Sequence, residues 1–290
     1  MIEIILKDKN KSINIDILYD TFPAGEEYIR IANTKEIKEF INNQNIVFTI
    51  ISRIYNSKEM MQTMLIIDAI NKYMTRLSYY NYSIDLILPY LPYSRQDRVC
   101  HNGESFGLEV ILNILLTSTI DTIYTFDKHS NILNKYISDI EQPYIFENTK
   151  LKNCKFDIIV SPDKGALLKN MTLFEKFDIA KEIISADKVR NNDKVNITLD
   201  FEYGYFKDKD IFIADDIIDG GRTMIELVKI IKEDMPKSIT VYCTHGIFSA
   251  GTQCLFDAGI NKIITTNSYY NGEASERLEV LKIEDIIKGI

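Results

Sequence analysis

The sequence predicts an α/β protein made of two doubly wound domains with mainly parallel sheets. Three observations carry that expectation. Apolar runs of strand length alternate with stretches of helical periodicity along the chain. The alternation comes in two successive series, and strands separated by helices of this length form βαβ units whose sheets are covered on both faces. Polar clusters stand at the ends of the apolar runs, where such sheets bind ligands. A length of 290 residues suits one large or two medium domains.

In the first series, Ile46–Ile51 is followed by a helix near Lys58–Ser78, and Ile84–Leu88 by a helix near Phe106–Leu116. Thr122–Thr125 comes next, with a short helix from Asn131. In the second, Asp157–Val160 precedes a helix near Ala166–Phe174, and Ile211–Ala214 a helix near Arg222–Lys232. Ser238–Cys243 then precedes a helix near Ala250–Ala258, and Ile263–Thr265 is a last strand. The expected domains are residues 1–145 and 146–274, with the tail 275–290 a candidate to rejoin the first.

Composition narrows the function classes. Hydrophobic residues at 46% and charged residues at 26% are ordinary for a globular protein. A net charge of −8 with no basic stripe excludes a non-specific nucleic-acid binder but leaves phosphate ligands open. No run approaches the roughly 18 apolar residues of a membrane span. The start, MIEIILKDKN, lacks the basic opening, long apolar core and cleavage site of a signal peptide. The four cysteines (Cys100, Cys154, Cys243, Cys254) form no CxxC and read as reduced thiols of a cytoplasmic protein. Neither they nor the three histidines (His101, His129, His245) have zinc-ligand spacing.

The most informative stretch is IFIADDIIDGGRTM, Ile211–Met224. An apolar strand is followed by Asp215 and Asp216, then by Asp219-Gly220-Gly221-Arg222-Thr223 and a helical pattern. The amides of Gly220 to Thr223 and the helix N-terminus favour a phosphate. The two carboxylates suit ribose hydroxyls or a hydrated Mg2+. A solvated acidic turn is the bland alternative, and the strand–turn–helix context argues against it.

Five further clusters are weaker. After Ile84–Leu88, Arg95 and Arg98 flank Gln96 and Asp97; guanidinium groups bind phosphate bidentately, although Asp97 paired with an arginine in a solvated loop fits equally. In TFDKHSN, Asp127 and His129 are spaced to point the same way from an extended segment. In IVSPDKGALL, Asp163 is either a ligand group or a helix cap. In SADKVRNNDK, Lys188 and Arg190 alternate in a polar loop that would close over a phosphoryl group or simply face water. THGIFSAG, with His245, ends a strand before a helix.

Together these clusters resemble the ribose-phosphate pyrophosphokinase (PRPP synthetase) family, in order and in spacing. FPAGEEYIRI resembles the family's Phe-x-Asp-Gly-Glu segment, PYLPYSRQDR its PYxxYARQDR, and TFDKHS its DLHA. SPDKG is similar to its SPDxGG, ADKVR to its DKxR, ADDIIDGGRT to its DDxxDTxGT loop and THGIFSAG to its THGxFSG. The resemblance implies a phosphoribosyltransferase type I-like fold and Mg2+-dependent transfer of the diphosphoryl group of ATP to the C1 hydroxyl of ribose 5-phosphate, giving PRPP and AMP. It implies that Arg95, Gln96, Arg98 and His129 bind ATP, with His129 and Asp163 near the metal. It implies that Asp215 and Asp216 hold the ribose hydroxyls, that Asp219, Gly220, Gly221, Arg222 and Thr223 cradle the 5-phosphate, and that Lys188 and Arg190 stabilise the transferring group. Phe22 and Glu26 would reach the adenine of a neighbouring subunit, making the site shared and the protein a homo-oligomer, from dimer to hexamer.

The departures are specific. Ala24 stands where the family has Asp, Gly220 where it has Thr, and Arg222 where Gly is common. Val99–Ser105 lacks the family's Arg-Ser-Arg run, so phosphate activation and ADP inhibition are expected to be weak or absent. Two alternatives stand beside the active enzyme: a non-catalytic regulatory homologue, and a phosphoribosyltransferase that uses PRPP. Retention of Lys188, Arg190 and the three loop acids disfavours the first; PYSRQDR and DKVR disfavour the second.

Overall fold

The computed structural model describes residues 2–41, 45–130, 137–191 and 194–287, with only the backbone described at 188–191 and 194–196. Two compact units follow one another along the chain, Met1–Asp139 and Ile140–Ile290. The first contains β1 (Ile2–Lys7), β2 (Ser12–Asn14), β3 (Ile17–Thr21), β4 (Glu27–Ile31), α1 (Thr34–Phe40), β5 (Ile46–Ser52), α2 (Ser57–Arg76), β6 (Tyr82–Leu88), α3 (Gly107–Leu116), β7 (Thr122–Phe126) and β8 (Ser138–Ile140) at its end. The second contains α4 (Gln142–Glu147), β9 (Ile158–Ser161), α5 (Lys164–Phe177), β10 (Glu182–Ser185), β11 (Asp187–Asn191), β12 (Lys194–Thr198), β13 (Asp210–Ile218), α6 (Arg222–Lys232), β14 (Ser238–Gly246), α7 (Gln253–Asp257), β15 (Lys262–Thr266), β16 (Leu278–Leu281) and α8 (Ile283–Ile287).

The first sheet has the order β2–β1–β5–β6–β7–β8. β5, β6 and β7 are parallel, as the βαβ pattern requires, whereas β1 runs antiparallel to both its neighbours. The helices bury one face each. α2 opens on a capping box: Asn56 accepts from the amides of Lys58 and Glu59, and the Glu59 carboxylate accepts from the Asn56 N–H at 2.9 Å. Its stripe of Ile66, Ile67, Ile70 and Met74 then packs in one core with Phe48, Ile50, Leu86 and, from α3, Leu108 and Leu115.

The second sheet is parallel throughout, in the order β10–β9–β13–β14–β15–β16. Alternation along β13 and β14 divides its core. Ile211, Ile213, Val241 and Cys243 pack with the α6 residues Leu227, Val228 and Ile231. Phe212, Ala214 and Tyr242 face the other way, towards Phe146 of α4 and Leu173 of α5.

The structure revises several expectations. The N-terminal antiparallel strands β1 to β4 were not foreseen, because strands of three to six residues carry too little periodicity to read. β13 runs on to Ile218, so Asp215 and Asp216 lie inside the strand; β14 continues beside it with Asp215 paired to Cys243 and Ile217 to His245. The tail forms β16 against β15, which sets it in the second unit and not the first. α7 is shorter than expected because Gly251, at φ +75°, turns the chain before it. The segment around Lys188 and Arg190 is not a loop but strand β11, paired antiparallel with β12. The helix expected from Asn131 lies outside the described residues.

Phe146 anchors the second core face. It is buried, 5.1 Å edge-on from Tyr242 and 6.3 Å from Phe212. Phe146→Ala is expected to cost about 3–5 kcal/mol through lost burial and the cavity left behind. A lowered unfolding midpoint in denaturant checks it; an unchanged midpoint shows that the cluster collapses around the gap.

Candidate active site

In the second unit, the acid segment sits at the C-terminal end of β13, next to the end of β9 that leads into Asp163. Asp215 Oδ1 accepts from the Asp216 N–H at 2.9 Å. Burial, and then the charges of Asp216 and Asp163, push the Asp215 carboxyl well above its ordinary range. Asp216 Oδ2 lies 3.4 Å from Lys169 Nζ of α5. Asp163 caps α5, accepting from the amides of Gly165 and Ala166 at 2.9 and 3.0 Å. Capping is therefore one settled role of Asp163, and its charge acts on Asp215 as well.

Asp219, Gly220, Gly221, Arg222 and Thr223 form the turn and first residues of α6. Gly221 is the N-cap, with φ +74°. A Cβ there would come within 2.8 Å of Leu255 Cδ2, so both conformation and space demand glycine. Gly220 is different: a Cβ would meet only Ser249 Oγ, at 3.8 Å, so a side chain fits. A glycine cap offers no side-chain acceptor, and no side-chain cap bond is made at α6, in contrast to α2 and α5. A helix N-terminus of this kind favours an anion.

In the first unit, the turn after β6 and the turn after β7 are joined by Asp97. Its carboxylate is buried and bonds Arg98 Nε at 3.0 Å. Burial raises its pKa, but the hydrogen bonds from Arg98 and Ser130 outweigh that and hold it below the ordinary carboxylate range. The pairing of Asp97 with an arginine is thus real, and it organises the turn. Arg95, Gln96 and Arg98 are exposed around it. The Gln96 side chain packs over Gly107, and the Gln96 main-chain carbonyl accepts the Leu108 N–H at 3.2 Å, fixing the start of α3. Asp127 and His129 do not point the same way: Asp127 is buried with φ +40°, which breaks the extended alternation, and His129 is exposed. Lys128 pins this turn through its N–H and Nζ, both bonded to Asp139 at 3.0 and 3.1 Å.

Phe22 and Glu26 stand at the tip of the β3–β4 hairpin, whose turn is closed by Phe22 N–H to Glu26 O at 2.8 Å. The hairpin is tied to α2 by Glu27, which accepts from Gln62 and pairs with Lys58. Phe22, 53% exposed, meets the exposed Tyr28 edge-on, with ring centroids 5.8 Å apart. The side chains of Lys188 and Arg190 lie outside the described residues.

Among the described residues no group of three His, Cys, Asp or Glu side chains could hold a metal ion. Mg2+ takes few protein oxygens, keeps several waters and shares substrate phosphates. The carboxylates of Asp163, Asp215 and Asp216 are hard donors of that kind. One or two of these carboxylates, with waters and substrate phosphates, would supply the oxygens such an ion takes.

Two family models cover most of the chain: the N-terminal domain of ribose phosphate pyrophosphokinase matches residues 8–118, and the phosphoribosyl transferase domain residues 129–258. The chain belongs to the ribose-phosphate pyrophosphokinase family. Among curated relatives, the ribose-phosphate pyrophosphokinase of Sulfurisphaera tokodaii is 27% identical over 89% of this chain and 87% of its own length. That of Mycoplasmopsis pulmonis is 28% identical over 96% and 83%, and that of Pyrococcus abyssi 29% over 88% and 84%. The crystal structure of the phosphoribosylpyrophosphate synthetase from Mycobacterium smegmatis matches in fold with a TM-score of 0.74 at 21% identity, covering 96% of this chain and 89% of that one.

Sequence reasoning missed the residues that hold these sites in shape. Asp97 as a link to Ser130, Lys169 beside Asp216, and Leu255 behind Gly221 are all tertiary neighbours with no spacing signal.

Asp215 supplies a test with a definite sign. Its folded pKa lies above the unfolded value near 3.8, so its ionised form opposes folding; the opposition is full above the folded pKa and absent below the unfolded one. Asp215→Asn is therefore expected to raise the melting midpoint at neutral pH, with the gain fading as pH falls towards 3.8. Melting curves at neutral and acidic pH check this, and no gain at neutral pH refutes it.

Proposed function

We propose that this chain is a ribose-phosphate diphosphokinase that transfers the diphosphoryl group of ATP to the C1 hydroxyl of ribose 5-phosphate, forming PRPP and AMP. The observation that carries the reading is the pairing, in one chain, of an N-terminal pyrophosphokinase domain with a phosphoribosyl unit whose α6 begins on a glycine cap behind the acids of β13. A phosphoribosyltransferase alone would not account for the first unit.

The roles divide as follows. The α6 amides, with Arg222 and Thr223, receive the 5-phosphate. Asp215 and Asp216 accept hydrogen bonds from the ribose hydroxyls. Arg95, Gln96, Arg98 and His129 bind the nucleotide. The C1 oxygen attacks the β-phosphorus of ATP, the bond from that phosphorus to the α,β-bridging oxygen breaks, and AMP leaves. Little covalent chemistry falls to the protein, so positioning and charge neutralisation carry the rate. Lys188 and Arg190 are the cations assigned to the transferring group. Asp163 and His129 are the residues proposed to hold Mg2+, which would supply positive charge against the phosphates.

The exposed hairpin of Phe22 and Tyr28 supports a homo-oligomer in which Phe22 and Glu26 complete a neighbour's nucleotide site. No described helix is long and apolar enough to cross a membrane. The four thiols are free, in keeping with a place in the cytoplasm.

The deciding experiment mixes purified protein with ATP, Mg2+ and ribose 5-phosphate and follows AMP and PRPP together. Equal amounts of both are expected. No AMP with any nucleotide, from protein that still binds ribose 5-phosphate, would favour a regulatory homologue or a PRPP-using transferase. Lys188→Ala is expected to lower kcat by orders of magnitude, about 100-fold or more, with ribose 5-phosphate affinity nearly intact, since that cation acts on the transition state. An unchanged kcat removes Lys188 from the mechanism.

A further inference from the structure

α5 supports the acid pair with two consecutive side chains. Lys169 Nζ lies 3.4 Å from Asp216 Oδ2, with the two side chains 31% and 12% exposed. Asn170, buried, donates to Ser161 Oγ at 2.8 Å and to Ala214 O at 3.0 Å. Consecutive helical residues diverge by about 100° around the axis. One side chain therefore reaches the carboxylate while the next reaches the strands beneath it. Ser161 ends β9 just before Asp163, and Ala214 immediately precedes Asp215. A single turn of α5 thus joins the strand ends that carry all three acids.

Asp216 stands among like charges. Its neighbour Asp215 is another carboxyl, and Asp163 adds more negative charge nearby. Repulsion of this kind turns an untethered carboxylate outwards, whereas a cation at one oxygen fixes its orientation. We propose that Lys169 is a positioning residue for ribose 5-phosphate: its ammonium holds the Asp216 carboxylate in the orientation that accepts the sugar hydroxyls, and Asn170 fixes the backbone below. The assignment rests on the reading of Asp215 and Asp216 as the ribose site. Lys169 acts through Asp216 and need not touch the sugar.

The test uses the full chain and measures ribose 5-phosphate binding by calorimetry alongside steady-state kinetics. Lys169→Met keeps the aliphatic stem and removes the charge. It is expected to weaken ribose 5-phosphate binding about tenfold and raise its KM equally, with kcat and the KM for ATP within about twofold. Lys169→Arg should restore most of the affinity. In an Asp216→Ala background, Lys169→Met should change affinity no further, which a merely structural role would not produce. Lys169→Gln, neutral and shorter, provides a second variant with the same expected loss. Wild-type affinity in Lys169→Met and Lys169→Gln, or a full tenfold loss persisting without Asp216, overturns the proposal. Wild-type protein that binds ribose 5-phosphate but forms no PRPP defeats the diphosphokinase reading alone, and the affinity ratio still decides the role of Lys169. Protein that does not bind ribose 5-phosphate overturns both.

Discussion

Two adjacent carboxylates at the end of a buried parallel strand are the constraint around which the second unit is organised. Burial and mutual repulsion both act against them. The surroundings offset this with local contacts. The β13–β14 ladder continues past Asp215 and holds its backbone in register. The Asp216 N–H bonds Asp215 Oδ1, the Lys169 ammonium stands beside Asp216, and Asn170 secures the Ala214 carbonyl. What remains is an excess of acceptor oxygens, the chemistry a polyhydroxylated sugar or a hard cation satisfies.

The first unit handles a buried carboxylate in the opposite way. Asp97 is held ionised by Arg98 and Ser130 and is consumed in structure. Its service is to join two turns far apart in sequence and leave Arg95, Gln96 and His129 on the surface around it. One unit therefore presents cations and hydrogen-bond donors, and the other acids beside a glycine-capped helix N-terminus. Those are complementary requirements for a polyphosphate donor and a sugar phosphate acceptor.

Much of this was legible in the amino-acid sequence because the signals are local. The strand–acid–glycine–helix run fixes Asp215 to Thr223 in contiguous residues, and α6 spans Arg222–Lys232 as its periodicity predicts. The helix-start glycine is legible for the same reason, since Gly221 must adopt a positive φ. Even Asp163 was legible as a cap, because capping depends on residues two and three positions ahead.

Tertiary structure alone decided the rest. β13 extends through Ile218 although aspartates are poor strand formers, because β14 supplies backbone partners that no local pattern announces. The tail belongs to the second sheet because β15 offers it an edge. Asp127 turns inward through a left-handed backbone, against the alternation its spacing suggested. Lys169 was one lysine among many until α5 brought it to 3.4 Å from Asp216. Periodicity and turn chemistry act over a few residues and can be read in order; pairing, burial and charge contacts depend on chain segments that meet only after folding.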